Sequence, residues 1–184
     1  MRIIAGMAKG KKLASNPSLN LRPLMDRIKE SLFAILDQEG EGKKVLDLFA
    51  GSGSFGLEAL SRGAAGCSFV EADPETAGLI RENLGRIGFT DQAAVYQKRA
   101  EDFLAGTGEK FDIIFIDPPF NKFKEVIKEI IDLIIDNGIL SEEGLVIIRY
   151  FFKDTFETDK LQVRNEKRYG ENQVTFYQLQ KEES

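Results

Sequence analysis

The chain has 184 residues, of which 42% are hydrophobic and 30% charged, so it is long enough for one compact domain with a substantial core. It contains no histidine and a single cysteine, Cys67, which excludes a Ser-His-Asp triad, a Cys-His pair, a His-ligated metal centre and an internal disulfide. The net charge of −5 is unevenly spread: residues 1–29 hold Arg2, Lys9, Lys11, Lys12, Arg22, Arg27 and Lys29 against Asp26 alone, which is +6 and leaves −11 for the rest.

That asymmetry reads as a basic arm on an acidic body, or as a solvated terminus. No stretch approaches the roughly 18 apolar residues of a membrane span, and Met1-Arg2-Ile3-Ile4-Ala5-Gly6 lacks the apolar core of a signal peptide. A cytoplasmic protein with no membrane and no metal is expected, with Cys67 a small buried hydrophobe.

Arg22-Pro23 predicts a hinge, because the residue before proline disfavours helical geometry, and Ile28, Leu32, Ile35 and Leu36 then predict a helix over 26–37. From residue 43 onward, β-branched runs alternate with helical periods, the pattern of parallel strands joined by crossover helices. Val45 to Phe49 reads as the first of these strands, with a turn from Gly51 to Gly56 leading into a helix to about Arg62, and Cys67 to Glu71 as the second. Asp73-Pro74 offers an N-cap followed by proline, Ile80, Leu84 and Ile87 give one helix face, and Gly88 ends it. Ala94 to Gln97 is a weaker strand, and Phe111 to Ile116 is a continuous apolar strand of the kind buried on both faces. Ile127, Ile130, Ile131 and Ile134 predict an amphipathic helix, and Leu145 to Ile148 the next strand. The tail reads as an antiparallel hairpin of 161–168 and 173–180 around Tyr169 to Asn172.

The segment Asp47-Leu48-Phe49-Ala50-Gly51-Ser52-Gly53-Ser54-Phe55-Gly56 places a G-x-G-x-x-G between a strand and a helix. Such glycines allow a tight turn and let a ligand approach the main chain beside a helix N-terminus. Glu71 lies 20 residues after Gly51, at the end of the next strand, where a carboxylate can accept from both ribose hydroxyls. Together they indicate an adenosine-containing cofactor. Asp47, at the strand end, would repel a pyrophosphate but suits an amino-acid ammonium, which favours S-adenosylmethionine over a dinucleotide. A tight structural turn is the plainer alternative.

Asp117-Pro118-Pro119-Phe120 follows a buried strand, and in open α/β sheets ligands bind at the carboxyl ends of the strands. The two prolines fix the backbone and remove two N–H donors. Asp117 and the Pro118 carbonyl can accept the two hydrogens of an exocyclic amino group, and Phe120 can stack an extruded base. No strong base is then required, and positioning against a sulfonium methyl does most of the work. The alternative is a rigid turn with Phe120 in the core.

On these residues the chain resembles the RsmD-like 16S ribosomal RNA guanine-N2 methyltransferase family over nearly its whole length. The opening Met1 to Leu13, the segment Leu21-Arg22-Pro23-Leu24-Met25-Asp26-Arg27-Ile28-Lys29-Glu30-Ser31-Leu32-Phe33, the glycine loop through Ala64, Phe69-Val70-Glu71, Asp117-Pro118-Pro119-Phe120 and Arg168-Tyr169-Gly170 all carry it. The resemblance implies a Rossmann-like seven-stranded class I methyltransferase sheet over 42–184, with a C-terminal antiparallel hairpin and a basic extension and helix over 1–41 covering the cleft. It implies S-adenosylmethionine as cofactor, held by Asp47, Phe49, Gly51, Gly53, Gly56, Glu71, Ala100 and Glu101. The implied acceptor is the 2-amino group of one guanine in 16S ribosomal RNA, within the small subunit or its assembly intermediate. Asp117, Pro118 and Phe120 would carry the chemistry, and Arg2, Lys9, Lys11, Lys12, Arg22, Arg27 and Lys29 would meet RNA phosphates or the cofactor carboxylate.

The chain departs from the family at Gln97-Lys98-Arg99-Ala100-Glu101-Asp102, where a Gly-Asp pair is usual, so Glu101 or a backbone group takes the adenine contact. It departs again at Leu24-Met25, where threonines are common. A DNA or other RNA exocyclic-amino methyltransferase shares these motifs, but only about 40 residues precede the glycine-loop strand, little for reading a duplex. A monomer is expected.

Overall fold

The structure, a computed structural model, describes residues 1–14 and 22–180. Among the described residues, five α-helices and seven strands follow in chain order: α1 (Arg22–Leu36), β1 (Lys44–Leu48), α2 (Ser54–Ser61), β2 (Gly66–Glu71), α3 (Pro74–Ile87), β3 (Ala93–Gln97), α4 (Ala100–Gly106), β4 (Phe111–Ile116), α5 (Phe123–Asp136), β5 (Leu140–Phe151), β6 (Leu161–Tyr169) and β7 (Asn172–Leu179). All seven strands form one sheet in the order β3-β2-β1-β4-β5-β7-β6. Pairing is parallel from β3 through β5, and β7 runs antiparallel to both β5 and β6. This is the seven-stranded methyltransferase sheet with its terminal hairpin.

The apolar runs without alternation occupy the centre, as strands covered on both faces must. Val45 to Leu48 of β1 are buried between β2 and β4, and Ile113 to Ile116 of β4 between β1 and β5. Chain order reverses between β1 and β4, and an open α/β sheet has its ligand crevice at the carboxyl ends of the strands flanking such a reversal. Two apolar layers sandwich the sheet. One joins Ile28, Leu32 and Phe33 of α1 to Leu57, Phe69, Phe115 and Phe176; the other joins the isoleucines of α5 to Leu46, Ile114 and Val146.

Several boundaries differ from expectation. The first helix starts at Arg22, not residue 26, because proline in the first helical turn forfeits only an N–H that has no intrahelical partner. The β5 strand runs twelve residues, well beyond Leu145 to Ile148, and shifts register against β4 between Phe111 and Ile113. Helix α4 has seven residues, too short to show a period. The expected cap of α3 is present, with the Asp73 side chain accepting from the Thr76 N–H and Gly88 at φ 84° closing the helix.

Residues 1–14 are docked. Arg2 bridges Lys12, and Ile3, Ala8 and Leu13 enter the same core layer as α1. The Ile4 and Ala5 N–H groups donate to the two carboxylate oxygens of Glu58, at 2.9 and 3.0 Å, and the Ala8 N–H donates to Ser61 Oγ at 2.9 Å. Gly6, at φ 81°, passes so close to α2 that a Cβ there would stand 1.8 Å from the Ser61 carbonyl oxygen. Gly6→Ala therefore has to lift the segment off α2. We expect a loss of about 1–3 kcal/mol in denaturant unfolding, with hydrogen-exchange protection lost first at the Ile4 and Ala5 amides.

Candidate active site

The carboxyl ends of β1, β2, β4 and β5 surround a cavity of about 910 Å³. Phe49, Gly51 and Glu71 line one side of it, Asp117, Pro118 and Arg149 another, and Ala100 and Glu101 a third, while Met1, Met25 and Asp26 contribute from the docked N-terminal segment and α1.

The glycine loop is shaped from beneath by two carboxylates. Asp47 Oδ2 accepts the Gly56 N–H at 2.8 Å, and Glu71 accepts the Gly51 N–H at 2.8 Å through Oε2 and the Asp73 N–H at 2.9 Å through Oε1. Gly56 is required sterically, since a Cβ there would lie 2.4 Å from the Phe69 ring and 2.6 Å from Cys67 Sγ. Phe49 sits at φ 61°, alone among the described non-glycine residues in having positive φ, and presents its ring to the cavity. Backbone strain of this kind persists only where the surroundings over-determine it, and it clusters at ligand sites.

Across the cavity, Asp117 receives a two-pronged hydrogen bond from Arg149: Nε donates to Oδ1 at 2.8 Å and Nη2 to Oδ2 at 2.9 Å. Arg149 Nη1 donates in turn to Asn172 Oδ1 at 2.8 Å, fixing the fork in plane. Burial pushes the Asp117 carboxyl above its ordinary value, and the adjacent guanidinium opposes that shift. At the third side burial pulls Glu101 up, but the Arg99 hydrogen bond at 3.3 Å leaves it below its ordinary value. The cavity also holds a polar atom in want of a ligand: Ser54 Oγ, on the first residue of α2, is buried and has no hydrogen-bond partner.

The family model described as "Conserved hypothetical protein 95" matches residues 1–178. Ribosomal RNA small subunit methyltransferase D of Escherichia coli K12 is 40% identical over 148 residues, covering 80% of this chain and 73% of that protein. The protein of the same name from Haemophilus influenzae is 38% identical over 80% of this chain and 77% of its own. The chain belongs to this RsmD family. Among solved structures, Escherichia coli yhhF superposes with a TM-score of 0.88 at 36% identity, over 97% of both chains. SMU.776, solved as a complex with SAH, shares the fold at a TM-score of 0.67 and 16% identity, over 83% of this chain and 48% of its own.

Set against the RsmD resemblance, the site residues separate into three groups. Phe49, Gly51, Glu71, Ala100, Glu101, Asp117 and Pro118 converge on the cavity. Gly53 and Gly56 do not line it and act by shaping the turn and seating α2. Asp47, expected as an ammonium partner, is 1% exposed beneath the loop, because β1 is covered on both faces, and one of its two oxygens, Oδ2, is taken by the Gly56 amide. The RNA-directed set changes too. Arg2, Lys9, Lys11, Lys12 and Arg27 are exposed, whereas Lys29 is fully buried, its Nζ 3.3 Å from Glu58 Oε2 and donating to the Arg2 carbonyl. Lys29 is thus a structural residue, since α1 packs its 29 face onto α2. The Phe120 and Arg22 side chains lie outside the described residues.

Sequence reading missed Arg149, Asn172, Ser54 and Glu58. Arg149 interrupts an otherwise apolar run, Val146-Ile147-Ile148-Arg149-Tyr150, at a strand's carboxyl end, and that was the available signal.

Burial, with smaller contributions from Asp117 and Glu71, raises the Asp47 carboxyl to about 8 and outweighs the Gly56 hydrogen bond, so the acid is mostly protonated at neutral pH. The fold favours the protonated form. Its contribution to stability is therefore complete below the ordinary value of 3.8 and declines as pH rises, until it is lost above about 8. Asp47→Asn retains an acceptor for Gly56 without this proton. We expect the stability of wild type relative to the variant to fall between pH 5 and pH 8, with a slope approaching about 1.4 kcal/mol per pH unit in denaturant titrations.

Proposed function

We propose that the protein transfers the methyl group of S-adenosylmethionine to the exocyclic 2-amino group of a guanine in small-subunit ribosomal RNA. The observation that carries this reading is the placement of the rigid Asp117-Pro118 acceptor pair and of the glycine loop with Glu71 in one cavity, on either side of the chain reversal. The names of the RsmD relatives supply the RNA, and the chemistry of the acceptor pair supplies the amino group.

The residues present fit the cofactor. Glu71 is held by two backbone amides, so its remaining lone pairs can meet ribose hydroxyls without reorganisation. The unpartnered Ser54 hydroxyl and the first N–H groups of α2 suit the carboxylate of an amino acid. Glu101, kept ionised by Arg99, can accept from an adenine amino group. Asp47, mostly neutral, removes a negative charge that would otherwise lie under the loop.

When bound, S-adenosylmethionine supplies a methyl group on a positively charged sulfur. The protein's part is to deliver the amino nitrogen in line with it. Lone pairs of the amino group delocalise into the base, and Asp117 together with the Pro118 carbonyl would draw its two hydrogens so that the nitrogen becomes more pyramidal. The Arg149 fork uses one edge of the Asp117 carboxylate, leaving the other lone pairs for substrate. The same fork fixes the carboxylate plane and balances its charge, which lowers the cost of keeping it ionised in a half-closed site. No strong base is needed, because the nitrogen loses its proton readily once alkylated. Phe120 is assigned to stack the extruded base, and Arg2, Lys9, Lys11, Lys12 and Arg27 to meet phosphates.

Labelled methyl transfer to small subunits from cells lacking the enzyme, followed by nucleoside analysis, tests the reading. Wild type should form 2-methylguanosine. Asp117→Ala should lose on the order of 100-fold in rate while binding cofactor normally. Label found in DNA, or at another atom of the base, would overturn the acceptor.

A further inference from the structure

Beyond Arg149 the chain carries an aromatic and cationic surface that the reaction described above does not use. Arg149 and Phe151 share one face of β5, about 7 Å apart along the strand. Phe151 pairs with Asn172, the same residue that receives Arg149 Nη1, so Arg149, which lines the cavity, connects it to the end of β5 and the start of β7. Immediately after the strand, Phe152 packs against Phe151 with ring centroids 5.2 Å apart and planes inclined by 59°.

Two cations lie over the Phe152 ring. The Arg168 guanidinium carbon lies 3.6 Å from the Phe152 centroid and Lys153 Nζ 5.6 Å from it. Arg168 is held in that position by Nε donating to the Gly170 carbonyl at 2.8 Å, and the Phe152 N–H donates to the Glu171 carbonyl at 2.9 Å. Both rings are half-buried and both cations exposed, and among the described residues neither cation makes an ion pair. Here one ring carries a guanidinium laid across it, with unused N–H donors facing outward.

We propose that Phe151, Phe152, Lys153 and Arg168 form a platform for the single-stranded RNA that flanks the base entering the cavity; this rests on the RNA reading given above. Single strands are held without sequence preference by aromatic and guanidinium faces that stack bases, set beside cations that track the backbone. The platform combines both, and it is continuous with the cavity through Arg149 and Asn172. An acidic peptide would satisfy the cations alone, whereas a base stacked on the Arg168 guanidinium, which Phe152 backs and Phe151 supports, with its phosphate on Lys153, uses the stacked arrangement as well as the charge.

The test is binding of a fluorescent oligouridine of about 12 nucleotides, alongside methylation of small subunits, for wild type, Arg168→Gln, Lys153→Gln and Phe152→Leu. The three variants are expected to unfold at wild-type temperatures and to bind S-adenosylmethionine with wild-type affinity in calorimetry. Arg168→Gln and Lys153→Gln should each weaken oligouridine binding and reduce the slope of log affinity against log salt by about 0.7. Phe152→Leu should weaken it about tenfold with the slope unchanged. With subunits, the loss should fall on KM rather than kcat. Unchanged oligouridine affinity in all three would overturn the platform, as would a loss seen only with assembled subunits, which would assign the surface to a ribosomal protein. Failure of wild type to methylate subunits would overturn the RNA reading separately, since the oligouridine arm does not depend on turnover.

Discussion

One buried carboxylate, Glu58, ties three parts of the chain together. It is fully enclosed and receives the Ile4 and Ala5 amides, Lys29 Nζ from α1 and Arg62 Nε from the end of its own helix. Removing one partner of a buried ionic cluster typically costs about 3–5 kcal/mol, although such clusters add little net stability compared with apolar packing. Their effect is geometric. With α2 fixed on the sheet by Gly56, Glu58 sets where the N-terminal segment and α1 can lie, and those elements bring Met1, Met25 and Asp26 to the cavity. The placement of Met1, Met25 and Asp26 at the cavity thus depends on a charge pair, Lys29–Glu58, that does not itself line it.

The same economy of charge runs through the carboxyl edge of the sheet. Asp47 and Asp117 end adjacent strands, and two ionised carboxylates so close would repel each other strongly in a dry environment. The fold resolves this by treating them differently. Asp47 is sealed under the loop with one amide donor and stays mostly protonated, while Asp117 faces the cavity and is given a guanidinium. Glu71 stands further along the edge with two amides. Each carboxylate has a separate means of tolerating its position, and the one given a full opposing charge is the one proposed to touch the reacting amino group.

Much of this arrangement could be read from the chain, and the limits have physical causes. The glycine loop, Glu71 and the Asp117-Pro118 turn were legible because their signals are local: residue type, spacing, and position after an apolar run. The sheet's strands were legible for the same reason, down to Phe111–Ile116. What was not legible depends on pairing at a distance. Lys29 looked like one more member of a basic helix, and only its contact with a residue 29 positions away shows that it is buried. Arg149 meets Asp117 across 32 positions, and Asp47 owes its depth to the two strands that flank it. Charged residues are the hardest to place from sequence, since the same side chain can sit in solvent or, with a partner, in the core.

A chain of net charge −5 is at first sight a poor partner for a polyanion. At physiological ionic strength, however, charges interact over about 8 Å, so the local pattern outweighs the sum. The acidic residues Glu125, Glu129, Asp132 and Asp136 gather on one side of α5, partly balanced by Lys128 and by Lys160, which pairs with Asp132 and Asp136. The cavity lining mixes both signs, with Lys98, Arg99, Lys122 and Arg149 beside Asp26, Glu71, Asp73, Glu101 and Asp117, and the exposed cations Lys153 and Arg168 lie past β5. The α5 carboxylates do not line the cavity, so they add less repulsion at its opening than the carboxylates that do, and they disfavour approach of nucleic acid along that helix. On the proposed reading, the net charge then works for orientation: a strand that meets the protein is held weakly everywhere except along the edge where a base can enter.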